Sequence, residues 1–157
     1  MPPPYLTLTE AESIAREAHR GRRDKAGRPY AEHLAAVAEG VRARGGSDEQ
    51  IAAAWLHDAV EDDALSRRWL EGAALPERVK DMVLAVTKRD GEDLRAYTGR
   101  ILATPGALLI KEADLAHHAD PARLAMLEPA VRTRLTAKYA QVRGLLGLPA
   151  ANVPQDG

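Results

Sequence analysis

Cysteine and phenylalanine are both missing from this chain of 157 residues. Without cysteine there is no disulfide framework and no cysteine-ligated zinc, and the composition fits a reducing cytoplasm. Aromatic residues make up only 4%. With alanine abundant instead, closely packed helices with small residues between them are expected. Net charge is −1, which leaves no whole-chain electrostatic footprint for nucleic acid or an anionic membrane. No apolar run approaches the ~20 residues that span a bilayer, and MPPPYLTL carries neither a basic nor an apolar leader region. What remains is 45% hydrophobic and 29% charged residues, an ordinary globular balance for one domain.

The apolar residues that are present recur at helical spacing. Thr9-Glu10-Ala11-Glu12 reads as a capping box opening a helix to about Arg20. Arg22 to Arg28 form a polar loop, and Pro29 suits the first turn of a second helix. The stripe Tyr30, Leu34, Val37, Val41 of that helix faces a core, and Gly45-Gly46 ends it. Ser47-Asp48-Glu49-Gln50 is another capping box, and it starts the helix that carries IAAAWL. Further helical segments fit 77–88, 92–103, 106–118 and 129–146. Nothing alternates at period two, so the expected fold is all-α, a single-domain helical bundle over 9–147. An N-terminal extension over 1–8 and a loose tail over 148–157 flank it.

The segment WLHDAVEDD places His57 and Asp58 directly after buried-type residues. An imidazole and a carboxylate there cost several kcal/mol without compensation. A divalent ion compensates both, since neutral His and ionised Asp are good ligands for Mn, Fe, Co or Zn. The bland alternative is a capped helix end with solvated acids. His33, beside the stripe of the second helix, and Asp114, in GALLIKEADLAHH, are polar groups in otherwise core-like helix. His33 taken singly is also compatible with a satisfied histidine at the core edge. Together the four form a His2Asp2 set drawn from three helices, the kind of site that bundles build in their cores.

The order DKAGRPYAEH, LHDAVED, IKEAD resembles the HD-domain superfamily of metal-dependent phosphohydrolases. More narrowly, it is similar to the hydrolase domain of RelA/SpoT-type enzymes and their small single-domain relatives, which remove the 3′-pyrophosphate from ppGpp and pppGpp. The likeness runs from about Ala11 to Leu127, and G-x-P-Y-x-x-H at Gly27 to His33 and H-D-x-x-E-D at His57 to Asp62 are its most specific parts. It implies an HD-type all-helical fold, with metal ligands at His33, His57, Asp58 and Asp114. It implies a catalytic acidic pair at Glu61 and Asp62, and a divalent metal, manganese first with Fe, Co and Zn as alternatives. Lys25, which matches a basic position of the family, and Arg28, in the loop before the first ligand, are the expected cationic substrate contacts. Lys111 is expected to support the acidic cluster, His19 to be structural, and Trp55 and Trp69 to pack rather than stack on bases.

Three departures concern the substrate. Asp24 stands where the family usually has arginine, and an acid there repels phosphate or leaves a base-stacking position empty. His118-Ala119-Asp120-Pro121 replaces Asn-Met-Arg-Thr. Leu34 stands where proline is frequent. His118 either replaces the asparagine as a substrate contact or, with His117, is a surface accident. The expected partner is a small-molecule nucleotide, with no nucleic acid, no membrane and the oligomeric state left open. The resemblance implies a phosphohydrolase of the guanosine 3′,5′-bis(diphosphate) 3′-pyrophosphohydrolase type. The rivals are another HD-type nucleotidase or phosphodiesterase, a non-catalytic metal- or nucleotide-binding domain, and a plain helical interaction module.

Overall fold

The computed structural model describes residues 4–149, and the ends at 1–3 and 150–157, which hold the first three residues of the expected extension and most of the expected tail, lie outside the described residues. Within them the chain is all-α: α1 Leu8–Ala18, α2 Tyr30–Ala43, α3 Asp48–Leu56, α4 Arg67–Gly72, α5 Glu77–Ala85, α6 Leu94–Ala103, α7 Ala107–His118, α8 Pro121–Leu124 and α9 Pro129–Leu146. No strand occurs among the described residues; a lone antiparallel bridge joins Arg23 to Pro29.

Helix α3 is the centre of the bundle. All of Ile51 to Leu56 are buried, so this helix is apolar around its whole circumference, as a helix enclosed by others must be. It packs against α1, α2, α5 and α7. Its start is set locally: Ser47 Oγ accepts from Gln50 N–H at 3.2 Å, and Gln50 Oε1 accepts from Ser47 N–H at 2.9 Å. The same Gln50 amide donates to Gly106 O at 3.1 Å. That bond fixes the beginning of α7 against the beginning of α3, which sets the relative height of the residues further along both.

Helix α1 starts two residues earlier than expected. Thr7, not Thr9, forms the capping box with Glu10. Both threonines fit the spacing. The earlier cap lets Leu8 join the helix and pack against the core, while Leu6 N–H bonds Ala74 O at 2.8 Å and fixes the entry. Helix α2 ends as its glycines imply. Gly45 takes φ +80°, its N–H reaches Arg42 O, and Gly46 N–H reaches Val41 O at 2.9 Å, the paired bonds of a Schellman end.

Small residues bring α2 against α7. A Cβ added to Gly40 would lie 3.1 Å from Ala113 Cβ. Gly40→Val is therefore expected to push apart the helices that carry His33 and Asp114, costing about 1–3 kcal/mol of stability through overpacking. Urea unfolding measures this; an unchanged midpoint would show that the two helices do not depend on this approach.

Candidate metal centre and substrate pocket

His33 projects from the first turn of α2 into the interior, and Asp114 from α7; both are buried. His57 and Asp58 follow the last residue of α3. The structure differs here from a helix continued through the motif. The His57 ring Nδ1 lies 2.6 Å from Ala54 O, which accepts from the ring, and His57 N–H makes only a long bond of 3.4 Å to the same carbonyl. The side chain competes for the acceptor that would carry the helix on. Residues 57–64 then run as successive turns, with Asp62 N–H on Asp58 O at 2.9 Å and Asp63 left-handed at φ +57°.

Four side chains meet there. His57 Nε2 lies 3.0 Å from Asp58 Oδ2 and 3.2 Å from Asp114 Oδ1; His33 Nε2 lies 2.9 Å from Asp114 Oδ1 and 3.6 Å from Asp58 Oδ2. One potential donor atom from each of the four lies within 4.8 Å of the others. Donors about 2.1 Å from one ion at near-tetrahedral or octahedral angles stand roughly 3.0–3.4 Å apart, so these separations suit a single divalent cation. The tautomers suit it as well. Because His57 Nδ1–H donates to a carbonyl, the neutral ring leaves Nε2 bare toward the cluster. His33 Nδ1 is 2.7 Å from His117 Nδ1. Burial, with His33 and Arg123 nearby, lowers His117 to about 4. Neutral His117 therefore accepts from His33 Nδ1–H and leaves His33 Nε2 free.

The electrostatics describe a strained set of donors. Burial holds the pKa of His33 down, against the pull of Asp114. Burial also disfavours charge on His57, but the Asp58 and Asp114 carboxylates outweigh it and hold this ring well above the usual histidine range. Asp114 is buried too, yet Lys111 and His118 hold its carboxyl well below the usual range; Lys111 Nζ sits 2.9 Å from its Oδ2. Tyr30 donates its phenol proton to Asp58 Oδ2 at 2.7 Å. Burial and the Asp58 charge push that phenol far above its ordinary range, so it stays a donor.

A cavity of about 380 Å³ opens beside this cluster. Glu61 lines it, open to solvent on one side, with Oε1 accepting from Lys88 N–H at 2.6 Å. Burial raises the Glu61 pKa, the direction that suits a carboxylate accepting a proton near neutrality. Asp62 is held by Arg22, whose Nη1 donates to the Asp62 carbonyl at 2.8 Å and whose Nη2 lies 3.8 Å from Asp62 Oδ1. Arg22 also lies over the Tyr30 ring, so it is part of the pocket wall rather than a solvated charge. His19 is buried: Nδ1 donates to Ala15 O at 3.0 Å, and Nε2 stands 3.7 Å from Asp62 Oδ2.

Lys25 lines the cavity, as expected of a substrate contact, but Arg28 does not. Its guanidinium makes two bonds to Glu32, at 2.8 and 3.0 Å, on the outer surface. The i,i+4 spacing at the start of α2 captured it. Lys88 and Lys138, which sequence reading missed, do line the pocket. Burial followed by the charges of Lys88, Lys25 and Lys111 lowers Lys138, against the pull of Glu61. Tyr30 was likewise missed, read only as part of a core stripe. Its place three residues before His33 was the available signal. Trp55 and Trp69 do not line the cavity; Trp55 is buried under the Arg16 guanidinium, and Trp69 packs at the core margin.

Asp24 lines the pocket, but not as a free acid. Its Oδ1 accepts from Ala26 and Arg28 N–H at 2.9 and 3.0 Å, and its Oδ2 meets Arg123 Nη2 at 2.5 Å. Burial raises its pKa, but these backbone bonds and Arg123 prevail and hold the carboxyl below the usual range. The repulsion expected from Asp24 is thus neutralised within the protein. His117 is no surface accident, given its bond to His33, and His118 lines the pocket beside Asp114.

The fold and the buried His2Asp2 cluster define a helical protein with a candidate centre for a divalent cation. Residues 11–98 match the HD domain family, and the chain belongs to it. It is 39% identical over 85 residues to a protein of Synechocystis named as a probable guanosine-3′,5′-bis(diphosphate) 3′-pyrophosphohydrolase, covering 54% of this chain and 11% of that protein. It is 28% identical over 146 residues to the Escherichia coli bifunctional (p)ppGpp synthase/hydrolase SpoT, covering 86% of this chain and 20% of SpoT. A guanosine-3′,5′-bis(diphosphate) 3′-pyrophosphohydrolase of Haemophilus influenzae is 30% identical over 139 residues, covering 82% and 20%. The chain therefore spans between about a tenth and a fifth of the length of these relatives. Among the described residues, no helix is long and apolar enough to cross a membrane.

Proposed function

We propose that this chain is a metal-dependent phosphohydrolase acting on a nucleotide with a pyrophosphate group, of which ppGpp is the first candidate. The observation that carries the reading is the meeting of His33 with His57, Asp58 and Asp114, the last three of which line a cavity that Lys25, Lys88 and Lys138 also line. In this reading those four residues hold one divalent cation. Mn2+ is the first choice, since two imidazoles and two carboxylates suit it and the resemblance points there. Bound, the ion supplies Lewis acidity toward a phosphoryl oxygen and toward water.

The chain's own residues supply the rest. Tyr30 and Lys111 hold Asp58 and Asp114 in orientation through bonds of 2.7 and 2.9 Å. Glu61 accepts the proton of the attacking water, and Asp62, fixed by Arg22, orients that water. The new bond forms at phosphorus, the bond to the ribose oxygen breaks, that oxygen takes up a proton to become the 3′-hydroxyl, and pyrophosphate leaves. Lys25, Lys88 and Lys138 bind the charge of the phosphates. His118, one turn after Asp114, lies at the same end of the pocket.

Glu61→Gln tests the division of labour. The amide still accepts from Lys88 N–H but takes no proton, so turnover of ppGpp is expected to fall by about 10²-fold or more, the usual reach of a general base. Metal content should stay at the parent level and the melting temperature should not drop, because burial already disfavours the Glu61 charge and the amide keeps the Lys88 bond. Near-parental turnover would remove Glu61 from the chemistry. Product analysis on a nucleotide panel separates the substrates: pyrophosphate from ppGpp supports the reading, whereas orthophosphate from monophosphates alone would assign a nucleotidase instead.

A further inference from the structure

Arg123 extends from α8 between two elements that are otherwise separate. Its side chain is 12% exposed; Nη2 meets Asp24 Oδ2 at 2.5 Å, and Nη1 lies 3.2 Å from His118 Nδ1. On the far side of the same ring, His118 Nε2 lies 3.2 Å from Asp114 Oδ1. The direction of each bond follows from the donors available. A guanidinium has no acceptor, so His118 Nδ1 accepts. The proton of the neutral ring then stands on Nε2, aimed at a carboxylate oxygen that only accepts. Tyr139 stacks on the ring with centroids 5.3 Å apart and keeps its plane. At the other end, the second oxygen of Asp24 closes the 22–28 loop through the N–H groups of Ala26 and Arg28.

We propose that Asp24, Arg123 and His118 form a positioning chain that couples the 22–28 loop to Asp114. The loop that carries Lys25 and the carboxylate that faces His33 and His57 are then set by one continuous run of hydrogen bonds. His118 is a positioning residue here: its Nε2 is committed as a donor to Asp114 and takes no place among the ion's ligands. Asp24 is the anchor that fixes how Arg123 lies along the pocket wall. The consequence for the ion rests on the metal reading above; the hydrogen-bond chain itself does not.

Nitrogen-15 NMR of the histidine rings in the metal-free full chain reads the protonated nitrogen directly, with the His118 signal assigned by its loss in His118→Asn. The parent is expected to carry the His118 proton on Nε2. In Arg123→Met, and in Arg123→Lys, which can keep an ion pair with Asp24 but has no fork to hold both partners, the His118 Nδ1 signal should move toward that of a nitrogen with no donor, while Nε2 keeps its proton on Asp114. A parent ring protonated on Nδ1, or spectra unchanged in both variants, would overturn the chain. Calorimetric titration with Mn2+ reads its consequence. Arg123→Lys should weaken binding about tenfold, the low end for a residue acting behind a ligand, and no further when His118→Asn is already present. Equal losses in both backgrounds would mean that Arg123 does not act through His118. A parent that binds no Mn2+ would defeat the metal reading while the NMR result still decides the chain.

Discussion

Asp58→Asn is expected to abolish stable metal binding while leaving the fold intact. The amide keeps the size of the side chain and an oxygen that can accept from the Tyr30 phenol, which bonds Asp58 Oδ2 at 2.7 Å. It loses the charge that faces His57 Nε2 at 3.0 Å and His33 Nε2 at 3.6 Å. Removing one partner from a buried charged set typically costs about 3–5 kcal/mol. Expressed as affinity, this is between about 10²-fold and several thousandfold. Bound metal measured by elemental analysis after desalting should fall from about one ion per chain to a small fraction, and turnover should fall with it. Retention of a full equivalent of metal would show that the ion sits elsewhere.

Chelation is expected to destabilise the whole bundle, not only to silence the site. The four residues come from α2, the end of α3 and α7, so an ion bound by them ties together the helices that meet at the core. A ligand present at 100 times its Kd adds about 2.7 kcal/mol to stability. At about 2–4 °C per kcal/mol for a domain of this size, the melting temperature should rise by roughly 5–10 °C with Mn2+ over the chelated protein. The rise should be absent in Asp58→Asn. Equal melting temperatures with and without metal in the parent chain would argue that no ion bridges these helices.

Much of the architecture was readable because its determinants are local. Ser47 and Gln50 cap α3 within one turn, and Gly45 ends α2 by taking the left-handed conformation that a side chain disfavours. The short helices α4 and α8, with 6 and 4 residues, escaped notice because neither is long enough to show a helical period. Thr7 and Thr9 both satisfy the capping spacing, and the packing of Leu8 chooses between them.

The site divides along the same line. His33, His57, Asp58 and Asp114 stood out as polar groups inside apolar helix patterns, and each lies beside or within such a pattern. Arg28 was misplaced because a local partner, Glu32, outcompetes the pocket, and that i,i+4 spacing was visible all along. Tyr30 was hidden by its own duality: the ring packs as a core residue while the hydroxyl holds a carboxylate. Asp24 and Arg123 are 99 residues apart. No pattern along the chain joins them, so Asp24 looked like an unpaired acid. Lys88 and Lys138 lie in different segments of the chain, and only folding brings their charges together.

The most direct test of the central claim is pyrophosphate release from ppGpp by the Mn2+-loaded chain, followed through chelation and re-addition of the ion. The account predicts release that stops on chelation, returns with Mn2+ and is lost in Asp58→Asn. Release that continues unchanged after complete chelation would contradict a metal centre at these four residues. No phosphate or pyrophosphate from ppGpp or any nucleotide of the panel, by a chain that holds its ion, would contradict a phosphohydrolase.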